Sequence, residues 1–133
     1  MYLLDTNVCI HLLNKSGSSQ FIQKFVVRSP TDFRLCSIVK SELYFGAYRG
    51  SRRSQNLEKL VRFFRQFASL AFDDEAAKLA GQIRSQLTTS GTPIGPNDLL
   101  IAAIALANDL ILITHNTREF GRVDSLQIED WEI

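Results

Sequence analysis

Short apolar runs alternate along this chain with longer segments of helical period, and that alternation sets the fold class. Tyr2-Leu3-Leu4, Phe33 to Cys36, Ser69 to Phe72, Leu110 to Ile113 and Leu126-Gln127-Ile128 have the length and character of buried strands. Between them the pattern predicts helices over Val8 to Leu13, Phe21 to Val27, Ile38 to Tyr48, Arg52 to Phe67, Asp73 to Leu87, and from Pro96 through the body Leu99 to Ala107. In the helix from Arg52, Leu57, Leu60, Val61 and Phe64 recur at i, i+3, i+4 and i+7, a single apolar stripe. Leu99 to Ala107 is apolar on every side, so that helix is expected to be buried, its alanines allowing close approach to a sheet. Ser29-Pro30 and Gly50 stop helices, and Asn14 to Ser19 and Thr88 to Gly95 are loops by composition. Strands separated by helical segments imply a parallel α/β sheet with helices on both faces.

Against this apolar framework four acids stand out. Asp5 closes the first run, Glu42 follows Ser37-Ile38-Val39-Lys40-Ser41, Asp98 opens the buried helix, and Glu119 lies past Leu110 to Thr114. Each also has a plain structural account. Asp5 can cap a helix, and Glu42 can sit on a solvated helical face. Asp98 can complement a helix dipole for ~0.3–1 kcal/mol, and Glu119 can be a surface acid. Their shared placement is what matters, because sites in open parallel sheets form outside the carboxyl ends of the strands. Carboxylates gathered there repel one another unless a cation lies among them, and all-oxygen ligation favours magnesium or manganese. The chemistry indicated is metal-dependent phosphodiester hydrolysis.

Composition narrows the rest. A chain of 133 residues is expected to form one domain, residues 1–133, and to bury about two-thirds of the surface exposed when unfolded. The start carries no leader-like segment and no apolar run approaches the ~18 residues of a membrane span, so a cytoplasmic protein is expected. Cys9 and Cys36 read as buried free thiols in a reducing compartment. There is no glycine-rich phosphate loop and no nucleophile elbow. His11 and His115 lack the spacing of a zinc site; His11 reads as packed or hydrogen-bonded, while His115 is a conceivable substrate contact. A net charge of +1 leaves nucleic acid open as a partner, and Arg49, Arg52 and Arg53 near Tyr44 and Tyr48 are suited to phosphates and unstacked bases. Phe21, Phe25, Phe63, Phe64 and Phe67 belong either to the core or to a groove for a partner helix.

Met1-Tyr2-Leu3-Leu4-Asp5-Thr6-Asn7, Ser41 to Ala47, Ile94 to Ala103, Ile113 to Phe120 and Glu129-Asp130-Trp131 together resemble the PIN domain, most nearly the VapC toxins of type II toxin–antitoxin systems. The resemblance implies a three-layer α/β/α sandwich with a short, mostly parallel central sheet. It implies a magnesium-dependent endoribonuclease, with manganese as a substitute, inhibited by a cognate VapB-type antitoxin and forming a homodimer. It assigns Asp5, Glu42, Asp98 and Glu119 to the catalytic centre, with Asp5 and Asp98 as metal ligands. Thr6, Asn7, Thr114 and Asn116 are expected to support the acids or touch substrate. Asn116 departs from the pattern, since many PIN domains carry Asp there, and this leaves open whether one metal ion or two operate. Two other readings remain: a metal-dependent nuclease acting on DNA, and a non-catalytic PIN-like binding module.

Overall fold

The computed structural model describes all 133 residues. Five strands, β1 (Tyr2–Leu4), β2 (Phe33–Cys36), β3 (Ala68–Leu70), β4 (Ile111–Ile113) and β5 (Ile128–Glu129), form one sheet in the order β3-β2-β1-β4-β5. All four pairings are parallel, so the sheet is wholly rather than mostly so. The α-helices are α1 (Thr6–Asn14), α2 (Ser19–Val26), α3 (Ser37–Arg49), α4 (Arg53–Phe64), α5 (Asp74–Thr89), α6 (Pro96–Ala107) and α7 (Thr117–Phe120).

The connections leave β1 toward β2 and β3 in one direction. After β3 the chain returns across the sheet to β4 and then moves outward to β5. Right-handed crossovers therefore put α1 to α4 on one face and α5 to α7 on the other. Neighbouring β1 and β4 lead their connections to opposite sides, which makes the crevice beyond their carboxyl ends the switch point of the sheet.

Local chemistry explains most element ends. Ser18 Oγ accepts from the Phe21 amide at 3.1 Å to start α2, and Asp73 Oδ1 accepts from the Ala76 amide at 3.0 Å to start α5. Pro96 occupies the first turn of α6, where its missing N–H is harmless. Ile101 to Ala105 are fully buried, as expected of a helix apolar all round. The helix from Arg52 differs from expectation: it ends at Phe64, and its buried residues are Leu60, Phe63 and Phe64 while Val61 is exposed. The ring of Phe63 meets Phe67 edge-on, Phe67 in turn meets Phe33, and a turn over 65–67 leads into edge strand β3. Phe21, Phe63 and Phe64 are buried in the core, while half-buried Phe25 and Phe67 pack against it and, with Phe63, also line a surface cleft.

The last strand begins at Ile128, two residues later than its apolar run, and ends in a plug. Trp131 is 4% exposed, its ring centroid 5.0 Å from Tyr2 and 4.8 Å from Phe25, with the Arg28 guanidinium 4.6 Å above it. Cys9 and Cys36 are buried and unbridged, and burial raises both thiols, Cys9 most. No helix is long and apolar enough to cross a membrane.

Candidate active site

The turn after β1 starts the site. The Asp5 amide bonds the Ile113 carbonyl at 3.1 Å, fixing the end of β1 against the end of β4. Asp5 caps α1, accepting from the Thr6 amide at 2.8 Å on Oδ1, so the structural reading of this acid holds. Its other oxygen faces the switch point. Thr114, 1% exposed and just past β4, donates Oγ1 to Asp5 Oδ2 at 2.7 Å across 109 positions of sequence.

Two links extend this pair. On one side Thr6 Oγ1 donates to Glu42 Oε1 at 2.7 Å, tying the first turn of α1 to the second turn of α3. On the other, Thr114 Oγ1 accepts from the Asn116 amide N–H at 3.0 Å, which orients the Asn116 side chain. Asn116 Nδ2 then donates to Glu119 Oε2 at 2.9 Å and Asp98 Oδ2 at 3.3 Å. All four acids thus join one network with Thr6, Thr114 and Asn116. Asn7, exposed in the first turn of α1, is the one expected residue left outside it.

Asn116 does the opposite of what an aspartate would do there. It turns its amide hydrogens, not its oxygen, toward two carboxylates and so offsets part of their repulsion. Burial, then the charge of Asp5, then the contact with Glu119 push Asp98 up to about 7. Asp5 is also raised, by burial first and partly opposed by the Thr114 and Thr6 bonds. Glu119 moves the other way, lowered chiefly by the Asn116 bond, so a proton between Asp98 and Glu119 rests on Asp98. Neither ion pair of the molecule involves these acids. Asp98 and Glu119 are the pair in direct contact, while Asp5 and Glu42 join them through Thr6, Thr114 and Asn116. One buried acid, Asp5, and three half-buried ones, answered by hydroxyls and one side-chain amide and by no lysine or arginine within ion-pair distance, are a donor set a divalent cation fits.

Glu119 owes its place to α7, a four-residue helix too short to show a period in sequence. His115 stays out of the network: its exposed ring meets Asp130 Oδ2 through Nδ1 at 2.9 Å.

The sequence model of the PIN domain matches residues 2–126. This chain is a PIN-domain protein. The PIN-domain match is supported along the whole chain by curated relatives. It is 33% identical over 132 residues to Ribonuclease VapC2 of Rickettsia felis, covering 99% of this chain and 98% of that protein. It is 36% identical over 132 residues to the tRNA(fMet)-specific endonuclease VapC of Salmonella typhimurium, covering 98% and 97%. Within the PIN domains it therefore belongs with the VapC ribonucleases. Among solved structures, the DNA-bound VapBC complex from Salmonella typhimurium contains a chain superposing with a TM-score of 0.90 at 35% identity, over 98% of this chain and 97% of that one.

Proposed function

We propose that this protein is the toxin of a type II toxin–antitoxin pair, a single PIN domain that hydrolyses RNA internally with magnesium, or manganese in its place. The observation that carries the reading is the single hydrogen-bonded network binding Asp5, Glu42, Asp98 and Glu119 at the switch point of the sheet. Asp5 and Asp98 would hold the ion, which when bound would neutralise the carboxylates, polarise the scissile phosphate and acidify water. Glu42, anchored by Thr6, keeps one oxygen free to take the proton of the attacking water. Glu119 and Asn116 position the far side of the centre, and Thr114 holds Asp5 in the rotamer that faces it. Water as nucleophile, in line with the leaving oxygen, gives 5′-phosphate and 3′-hydroxyl ends.

Substrate is held nearby on α3 and the turn after it. Tyr44 and Tyr48 stack with centroids 6.5 Å apart, and Arg53 Nε donates to the Tyr48 carbonyl at 3.1 Å, which keeps the basic turn beside the rings. With Arg49 and Arg52 these supply phosphate contacts and a stacking surface for unpaired bases. Affinity for RNA should therefore fall steeply with salt.

A VapB-type antitoxin is the expected inhibitor, consistent with the VapBC assembly of the structural relative. A cleft of about 290 Å³ between α1, α3 and α4, lined by Ile10, Leu13, Leu43 and Leu60, reaches Glu42 and suits an amphipathic segment of that partner. Function as a homodimer in the cytoplasm completes the proposal.

Cleavage of a total RNA pool, mapped at nucleotide resolution with magnesium, with chelator and with Asp98→Ala, tests it. Discrete cuts lost in both controls support the ribonuclease. Cuts that survive in Asp98→Ala sink the site assignment, and cuts confined to added DNA sink the substrate class.

A further inference from the structure

Outside the acidic centre, three ligand-type groups do close on one another: His115, Asp130 and Glu132 each bring a ligand atom within 4.8 Å of the other two. They come from the end of β4 and from the chain after β5, so no sequence spacing announces them. Two details set this cluster apart from ordinary surface acids. One donor is an imidazole, with His115 Nδ1 at 2.9 Å from Asp130 Oδ2. The other is Glu132 Oε2, the single buried side-chain polar atom in the molecule with no hydrogen-bond partner. The Glu132 side chain is 20% exposed, yet this oxygen is shut from solvent and unanswered, a position a bound cation or proton would satisfy.

The remaining oxygen of Glu132 is already oriented. His11 Nε2 lies 3.4 Å from Glu132 Oε1, and His11 Nδ1 is engaged at 2.8 Å by Ser16 Oγ. This ion-pair contact from a second histidine holds the Glu132 carboxylate toward the cluster, as outer partners orient metal-binding carboxylates.

We propose that His115, Asp130 and Glu132 form a second cation site, distinct from the Asp5–Asp98 centre, that takes zinc or a similar late divalent ion. Mixed imidazole and carboxylate donors favour such an ion over magnesium, and water completes a four-coordinate shell. The ion braces the C-terminal segment, whose Trp131 plugs the face over Tyr2 and Phe25, to the end of β4. His115 immediately follows Thr114, the residue that orients Asp5, so the brace also steadies the catalytic centre from behind.

The test is zinc binding to chelator-treated full-length protein in saturating magnesium, by calorimetry and thermal denaturation. It compares the wild type with Asp98→Ala, His115→Ala and Glu132→Gln. One zinc per chain, retained in Asp98→Ala, lost in His115→Ala and weakened about tenfold or more in Glu132→Gln, is the expected result. Cobalt(II) should report the same site through the visible absorption of tetrahedral coordination, which needs no catalysis and covers any His115 variant that folds poorly. Zinc lost in Asp98→Ala but kept in His115→Ala would place the ion in the acidic centre and overturn the proposal. Absence of zinc binding to the wild type would overturn it equally, leaving two histidine–carboxylate pairs.

Discussion

Replacing Asp98 by asparagine should make the metal-free protein more stable, not less, at alkaline pH. Asp98 sits at about 7 in the fold against an ordinary 3.8. The folded chain therefore holds this proton more tightly than the unfolded chain does, and folding stability declines as pH rises between those values. A gap of about three pH units corresponds to at most ~4 kcal/mol. Because the side chain is partly open to solvent, screening reduces this to ~2 kcal/mol. Asparagine mimics the protonated acid: its oxygen can still accept from Asn116 Nδ2, and its amide can donate to Glu119. The assay is urea and thermal denaturation in chelator from about pH 5 to about pH 8, where ~2 kcal/mol amounts to ~7 °C in a chain of this size. Wild type and Asp98→Asn should lie closest at the acid end and separate progressively up to about pH 7, because the decline begins at the unfolded value of 3.8. A shallower decline shared by both belongs to Asp5, which is raised in the same direction. Added magnesium should reverse the order, stabilising only the wild type. Parallel curves across the whole range would refute the argument, as would wild-type stability that climbs with pH.

Three further changes probe the same network and its support. Thr114→Val removes a buried donor to Asp5 and should destabilise the fold by ~1.5–3 kcal/mol while weakening magnesium binding; denaturation with and without magnesium reads both effects, and an unchanged midpoint would show that the bond contributes nothing. Asn116→Asp replaces a donor to two carboxylates by a fifth acid, so the metal-free protein should lose ~1–3 kcal/mol at about pH 8, recovered by manganese. Titrating manganese against the melting temperature decides this, and a variant as stable as wild type in chelator would contradict it. Trp131→Ala should cost about 3–5 kcal/mol by unplugging Tyr2, Phe25 and Phe33, measured by urea denaturation.

The central strands β1, β2 and β4 are largely buried and were legible as short apolar runs. Edge strands β3 and β5 are partly exposed and lie one or two residues off their apolar runs, Ala68–Leu70 against Ser69 to Phe72 and Ile128–Glu129 against Leu126 to Ile128. The buried helix α6 was legible too, because Leu99 to Ala107 offers no polar side to solvent. Periodicity was a weaker guide in α4, where Val61 and Phe63 compete for the stripe and the larger ring takes the buried place. Helix α7 and the 3-10 turn over Pro30–Asp32 are too short to carry any period. The acids themselves were visible from where they sit along the chain, and so were Thr6, Thr114 and Asn116 as their companions. What the residues could not declare was which atom each presents: Asn116 as donor to two carboxylates, Thr6 serving Glu42, Asn7 serving none of them. His115, Asp130 and Glu132 are brought together only by the path of the chain after β5, and no linear spacing encodes that path.

The bond between Asp5 and Thr114 joins the first turn of the chain to a strand laid down near its end. Domains assemble from the N-terminus while synthesis proceeds, and contacts of such wide separation form last. A nascent chain still lacking β4 would hold Glu42 through Thr6 but would have no Thr114 hydroxyl to aim Asp5 and no Asn116 to join Asp98. The four-acid centre is therefore completed only when residues 114–119 have docked beyond β4, which makes its assembly one of the last events of folding.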